Sequence, residues 1–243
     1  MSNSRNNDAT IADIDRSKLI SAGAFKNVYA GTYTRGPRAG QKCVAKEFKT
    51  GSVFEKHYFE QEMNIIRRTQ QVIDNWHKAK IVDKRILLNT PEIWMYCESL
   101  ALMLVEPMIE KFEKFNSNTG WAPVTGGVWS EAMQALSHFS YHDSNGQILL
   151  CDVQGGAYRD GYILSDPVIM SQKPEKYGPT DLGPNGIRLF FYRHRCGRFC
   201  NREWKAPTFV GGPLIPMRRG TSMISLSHLP SRSSRSFLTQ IPE

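Results

Sequence analysis

Asn27-Val-Tyr-Ala-Gly-Thr-Tyr-Thr34 and Lys42-Cys-Val-Ala-Lys-Glu-Phe48, joined by the Gly- and Pro-bearing turn Arg35–Gly40, read as two β-strands. Upstream, Lys18-Leu-Ile-Ser21 reads as a third, set off by the small-residue turn Ser21–Phe25. Downstream the period changes. From Ser52 to about Ala79 the apolar residues Phe54, Tyr58, Met63, Ile66, Val72, Ile73 and Trp76 recur at helical spacing and predict one long helix. Extended segments follow at Glu92–Cys97 and Leu100–Met108. Helical spacing resumes over Glu131–Tyr141, with Met133, Leu136 and Phe139 on or near one face. Ile148–Val153 is a short, nearly all-apolar strand, and a Gly-, Pro- and Asp-rich stretch leads to a compact segment at Gly186–Trp204. Strands plus one long helix, then a mixed half, predict an α+β fold of two lobes with a cleft between them.

A chain of 243 residues, 40% hydrophobic and 11% aromatic, has enough apolar surface for a sizeable core and is not wholly disordered. No apolar run approaches the ~20 residues needed to span a bilayer; Leu100–Val105 comes nearest. With a polar start at Met1–Asp8, the expectation is a soluble, cytoplasmic protein with no membrane partner. Of the net charge of +8, half falls in Lys205–Glu243, which holds five basic residues and one acid. The body is then only mildly basic, and nucleic acid is not the expected partner. Five cysteines, an odd number, do not suggest a disulfide scaffold; Cys43, Cys97 and Cys151 read as buried thiols. Residues 1–14 are expected to be disordered, as is the Ser-, Pro- and Arg-rich tail 207–243.

His194-Arg-Cys196-Gly-Arg-Phe-Cys200 is the most specific local signal. One imidazole and two thiols within seven residues supply three of the four ligands of a structural zinc. The fourth must come from elsewhere: His138 on the second predicted helix, or His142 one turn later on the same face. Four protein ligands leave no open position, so such a zinc would hold the second lobe together.

A second constellation handles phosphate. Gly23 lies in a small turn between strands, and Lys46 on the third strand is placed to reach phosphates that the turn covers. Asp152-Val-Gln154-Gly155 follows an apolar strand, so its polar side chains emerge at the strand's end. Ser165-Asp166-Pro167 comes soon after. Two carboxylates and an amide oxygen on neighbouring loops make a hard-oxygen site for Mg²⁺, with one carboxylate free to take a proton. The loop Tyr177–Gly186 carries Gly178, Gly183 and Gly186, and suits close approach of a phosphate or a peptide.

In chain order, Lys46 in Val-Ala-Lys-Glu-Phe, Glu106-Pro107, Phe115-Asn-Ser-Asn-Thr-Gly120, Ser137-His138-Phe139, Asp152-Val-Gln-Gly155, Ser165-Asp-Pro167, Gly178-x-x-Asp-Leu-Gly183 and His194-x-Cys196-x3-Cys200 resemble the catalytic domain of the alpha-kinases, a family of atypical protein kinases. The resemblance covers roughly residues 15–206. It implies a two-lobed protein-kinase-like fold with a zinc-stabilised C-terminal lobe, divided near residues 105 and 106, and transfer of the ATP γ-phosphate to Thr or Ser of protein substrates. It also implies that Gly23, Ala24, Phe25 and Lys26 cover the nucleotide and that Lys46 contacts the phosphates. Glu106 would reach the adenine amino group, with Met108 nearby. Gln154 and Asp166 would hold Mg²⁺, Asp152 would accept the proton, and Gly178, Thr180 and Gly183 would place the peptide. His138, His194, Cys196 and Cys200 match the zinc ligands.

Departures are few. Val153 stands where the family usually has Leu, Thr180 where Gly or Ala is common, and the stretch between Gln154 and Asp166 looks longer than in some members. No required group is missing, so an active kinase is expected. The alternatives are an inactive nucleotide-binding scaffold and a zinc-stabilised nucleic-acid-binding module. In the tail, Thr221 and Ser222 beside Arg218 and Arg219, and the serines of Ser231–Ser236, offer autophosphorylation sites that could dock back on the body.

Overall fold

A computed structural model describes residues 3–23, 25–49, 55–97, 99–124 and 126–208. Ala24 and the proposed tail acceptors lie outside the described residues. The N-terminal sheet is built from β2 (Ile11–Ala22), β3 (Lys26–Arg35), β4 (Lys42–Phe48), β6 (Glu92–Met95) and β7 (Leu102–Pro107), in the order β2-β3-β4-β7-β6. All its pairings are antiparallel. A second sheet has the order β1-β5-β11-β10-β8, from β1 (Ser4–Arg5), β5 (Arg85–Asn89), β11 (Gly161–Leu164), β10 (Gln154–Tyr158) and β8 (Glu113–Lys114). β9 (Ile148–Cys151) and β12 (Val168–Ser171) form a separate antiparallel pair. The helices are α1 (Glu55–Lys78), α2 (Val128–Asp143) and α3 (Gly183–Arg193).

The long helix expected from Ser52 is α1, and its apolar stripe serves two cores. Phe59, near its start, packs with Phe48 and Leu104 of the N-terminal sheet. Ile65, Ile66, Val72, Ile73 and Trp76 enter the main core with Met133, Leu136 and Phe139 of α2 and with Ile148, Leu150, Tyr162 and Leu164. Trp76 is fully buried, edge-on to Phe139 at 5.5 Å between ring centroids. Truncating such a side chain costs about 3–5 kcal/mol, so α1 clamps the two halves together.

Three sequence expectations are corrected here. The first residues are not a disordered lead-in to residue 15: Ser4–Arg5 pairs in parallel with Leu88–Asn89, and β2 begins at Ile11. Asn7 and Ala9 are buried. A polar segment is ordered here because β5 offers an unpaired edge that satisfies its backbone. The lobes also do not divide cleanly near residue 105. β5 comes before that point in sequence yet pairs with β11, where Ile86 and Leu88 join the main core. Third, Cys97 is exposed, whereas Cys43 and Cys151 are buried as expected. The Gly-rich stretch after β9 holds three further strands, and the compact segment begins earlier than expected, with α3 from Gly183. No helix among the described residues is long and apolar enough to cross a membrane.

Candidate active site

Two strand ladders bring the acidic loops together. In the β9–β12 pair Cys151 faces Val168, so Asp152 and Asp166 emerge side by side beyond the ladder. In the β10–β11 pair Gly155 faces Leu164, and the Ser165 amide donates to the Gln154 carbonyl at 3.1 Å. Asp152 and Asp166 both have left-handed backbones, with φ of 51° and 52°. Aspartate tolerates that region better than most residues, but two such turns at one cleft mark a constrained site. Gly155 is needed for a separate reason: a Cβ there would run into the Ile163 carbonyl.

The N-terminal sheet supplies the opposing cations. Lys26 faces Phe48 across the β3–β4 ladder, two residues from Lys46, so both lysines project from one face. Glu106 faces Val44 on β7 and is the diagonal neighbour of Lys46. The Lys46 ammonium lies 2.8 Å from Glu106 Oε1, 3.1 Å from Asp166 Oδ2 and 3.3 Å from Ser165 Oγ. Ser165 in turn donates to Glu106 Oε1 at 2.6 Å. The Lys26 ammonium bridges Asp166 Oδ1, at 3.0 Å, and Glu62 Oε1 of α1, at 2.8 Å. Both oxygens of Asp166 thus face a cation.

These contacts set the protonation states. Burial opposes charge on both lysines, but Asp166 and Glu62 more than reverse it for Lys26, as do Asp166 and Glu106 for Lys46, so both ammoniums are held above the ordinary lysine range. Burial likewise opposes charge on Asp166. The two lysines overcome it and hold that carboxyl well below the ordinary range. Asp152 goes the other way. Burial raises its pKa, only partly offset by Lys114, 3.2 Å away, and by the Asn118 amide, which donates at 2.9 Å. Two neighbouring carboxylates are therefore pushed in opposite directions.

These groups line a cavity of about 480 Å³. Its walls include Gly23, Phe25, Lys26 and Lys46 above, Glu106 and Met108 at the back, and Asp152, Gln154 and Asp166 below. Gly178 and Thr180 close one side; Gly183 sits behind them at the start of α3. The turn at Gly23 is closed by its amide donating to the Lys26 carbonyl at 2.8 Å. The Glu106 carboxylate is committed to Lys46 and Ser165, and the Met108 amide donates to the Lys42 carbonyl at 3.0 Å. Gln154 donates through Nε2 to the Asp166 carbonyl at 3.3 Å. Glu62, Lys114 and Ser165 had no assigned role in the sequence reading. One of several acids in the first turns of α1 and a lysine next to Phe115 carry no pattern that separates them from solvated charges.

Asp181 holds the glycine loop from behind. It is buried, its Oδ1 accepts from the amides of Ser171 and Gly183, both at 2.9 Å, and its Oδ2 accepts from Ser171 Oγ at 2.7 Å and the Tyr177 amide at 3.3 Å. Gly178 has φ +86°, a conformation that glycine adopts freely.

His138, His194, Cys196 and Cys200 converge with their ligand atoms within 4.8 Å of one another. Cys196 Sγ is 3.6 Å from His138 Nδ1 and 3.7 Å from His194 Nε2; Cys200 Sγ is 3.6 Å from His194 Nε2. A tetrahedral zinc with ordinary Zn–S and Zn–N bonds sets sulfur and nitrogen about 3.6 Å apart, so the donor set fits this ion. Burial lowers the pKa of both imidazoles, that of His194 to about 4, which keeps them in the neutral ligand form. His138 Nε2 meets the Lys205 carbonyl at 3.2 Å, which directs Nδ1 to the cluster. His142 is excluded: its ring stacks on Trp204 and its Nδ1 accepts from the Lys205 amide.

The sequence profile of the alpha-kinase family matches residues 21–200. Alpha-protein kinase vwkA of Dictyostelium discoideum is 36% identical over 92 residues, 38% of this chain and 14% of that protein. Eukaryotic elongation factor 2 kinase of Rattus norvegicus is 37% identical over 107 residues, 44% of this chain and 14% of that protein. Transient receptor potential cation channel subfamily M member 6 of Homo sapiens is 27% identical over 202 residues, 74% of this chain and 10% of that protein. The chain therefore spans only a small part of each of these relatives. The crystal structure of the alpha-kinase domain of myosin-II heavy chain kinase A in complex with AMP-PNP superposes with a TM-score of 0.67 at 21% identity, over 78% of this chain and 86% of that one. At that identity the likeness is one of fold: a mixed α+β, kinase-like architecture.

Proposed function

The chain belongs to the alpha-kinase family, and from that premise we propose that it is an atypical protein kinase that transfers the γ-phosphate of ATP to Thr or Ser of protein substrates in a Mg²⁺-dependent reaction. The observation that carries the reading is the opposed perturbation of Asp166 and Asp152 across one cavity, with Lys46 bound to the former. One carboxylate stays charged among cations. Burial raises the pKa of the other, the direction that suits a proton acceptor.

In this reading ATP enters the cavity under the Gly23–Lys26 turn, with its phosphates against Lys46. Because the Glu106 carboxylate is committed to Lys46 and Ser165, an adenine contact at this position falls to the backbone, and Met108 packs beside the ring. Asp166 and the Gln154 amide oxygen are the hard donors for Mg²⁺, which neutralises phosphate charge when bound. The charged state of Asp166, paired with both ammoniums, supports this reading. Asp152 accepts the proton of the substrate hydroxyl as its oxygen attacks the γ-phosphorus and the bond to the β-phosphate oxygen breaks, leaving ADP. Lys114, 3.2 Å away, favours the ionised form of Asp152 and works against the effect of burial. The loop from Gly178 through Thr180 to Gly183 positions the acceptor peptide. Zinc held by His138, His194, Cys196 and Cys200 would have four protein ligands and no open position, and its work would be structural. The domain of this activity corresponds to residues 15–206 together with the ordered N-terminal arm.

The test is transfer of labelled γ-phosphate from ATP, with Mg²⁺, by wild type and by Asp166→Ala, onto a Thr peptide and onto the protein itself. Transfer by wild type and not by the variant is expected. Absence of both transfer and nucleotide binding in folded, zinc-loaded wild type would overturn the proposal.

A further inference from the structure

The charge of the described residues is concentrated beside the glycine loop. Between Gly183 and Lys205 there are six cations, Arg188, Arg193, Arg195, Arg198, Arg202 and Lys205, against a single acid, Glu203. All six cations are exposed. Of these six, only Arg198 is paired to a carboxylate of the described residues, Glu131 of α2 at 2.8 Å. Arg195 turns back to the carbonyls of Tyr192 and His194, and Lys205 reaches the Asn145 side chain. A zinc with two thiolates and two neutral imidazoles has no net charge, so metal loading leaves this surface basic.

This basic segment begins at the cleft. α3 starts at Gly183, where the glycine loop ends, and packs on the body through Gly186, Ile187 and Phe190. That leaves Arg188 and Tyr192, four residues apart, on its outer side, and the metal knuckle follows at once with Arg193, Arg195 and Arg198 between and around its ligands. We propose that this face docks an acidic segment of the protein substrate, distant in sequence from the acceptor residue; the proposal rests on the kinase reading above. From Gly183 to Arg193 a helix rises roughly 15 Å, a distance that an extended peptide covers in about five residues. The acidic block should therefore begin about five to eight residues from the acceptor. An acidic polypeptide fits better than nucleic acid because Tyr192 is the only large aromatic exposed along the described part of this segment, and single strands are usually held by several stacking rings.

Two Thr peptides are compared, alike except that one has six Glu, and the other six Gln, placed about six residues from the acceptor. KM for the Glu peptide should be about tenfold lower at low salt, as expected of a few exposed ion pairs acting together. The difference should shrink as salt rises, with kcat unchanged. Arg188→Glu with Arg202→Glu, neither of them a cavity-lining residue or a metal ligand, should abolish the preference while leaving transfer to the Gln peptide intact. Equal KM values for the two peptides, or a preference that survives the double charge reversal, would overturn the docking face and leave the kinase reading standing. If no peptide is phosphorylated, fluorescence anisotropy of the labelled Glu peptide still decides: salt-sensitive binding lost in the double variant supports the face, and no binding refutes it. Binding of a single-stranded RNA, lost in the double variant, with no binding of the Glu peptide would refute it in favour of nucleic acid.

Discussion

Lys46→Met removes the buried lysine that bridges Glu106 and Asp166, and its first effect should be on folding. The Lys46 and Glu106 side chains are 7% and 4% exposed and lie 2.8 Å apart. After the substitution the Glu106 carboxylate keeps only the Ser165 hydroxyl as a donor, inside a wall formed by Val44 and the strand β7. Breaking one side of a buried ion pair costs about 3–5 kcal/mol, because the other charge stays buried and unpaired. For a domain of this size each kcal/mol moves the melting temperature by about 2–4 °C, so a fall of about 6–20 °C follows. Native domains have only about 5–15 kcal/mol in hand, so this is a large share. Lys46→Met combined with Glu106→Gln should regain at least half of the loss, since neither charge then remains. Glu106→Gln alone should be milder, because Lys46 retains Asp166 at 3.1 Å. Calorimetry and urea denaturation on the four proteins close the double-mutant cycle. If Lys46→Met melts within 2 °C of wild type, or the double variant is no more stable than Lys46→Met, the argument from burial is wrong. A lysine variant with no activity would otherwise be read as loss of catalysis when part of it is loss of folded protein.

Metal removal should act on the main core: chelation, or Cys196→Ser, should lower the melting temperature by more than 10 °C and expose Trp204, read by its fluorescence, because apart from a few exposed polar contacts the knuckle is held through its ligands and neighbouring rings. The raised pKa of Asp152 places the acidic limb of kcat/KM above the ordinary aspartate range near pH 4, with activity falling as pH drops through it; an acidic limb below pH 4 would refute Asp152 as the base. Asp166, held low by two lysines, contributes stability that is complete above the unfolded carboxyl value near pH 4 and is lost as pH falls further toward the folded value. Asp166→Asn should therefore flatten the slope of unfolding free energy with pH below about pH 4. Asp181→Asn disturbs four hydrogen bonds behind the glycine loop, and should raise KM for peptide several-fold with little change in KM for ATP; equal effects on both would mark a general loss of structure.

Much of the cleft was legible because its chemistry is local. Asp152 and Gln154 are placed by an apolar strand that stops at Cys151, and the glycine loop is marked by its own residues. The helix over 55–78 was legible from periodicity, since one stripe of apolar residues had to find a core. The ordered N-terminal arm was not. Nothing in Ser4–Arg5 is apolar, and its order comes from the open edge of β5, more than eighty residues away. Strands β10 and β11 were hidden as well, because glycines at their close approaches look like loop in a single sequence.

Residue type and order by themselves determined the α+β pattern, the pair of acidic strand ends and a His–Cys donor set suited to zinc, because each is expressed within one turn or one strand. The tertiary structure alone decided which acids face Lys46, that Glu62 shares Lys26 with Asp166, and that β5 joins the second sheet. Those outcomes depend on contacts between residues tens to more than a hundred positions apart. Such contacts are set by which cores α1 fills and which strand edges are left to pair, and no local periodicity encodes them.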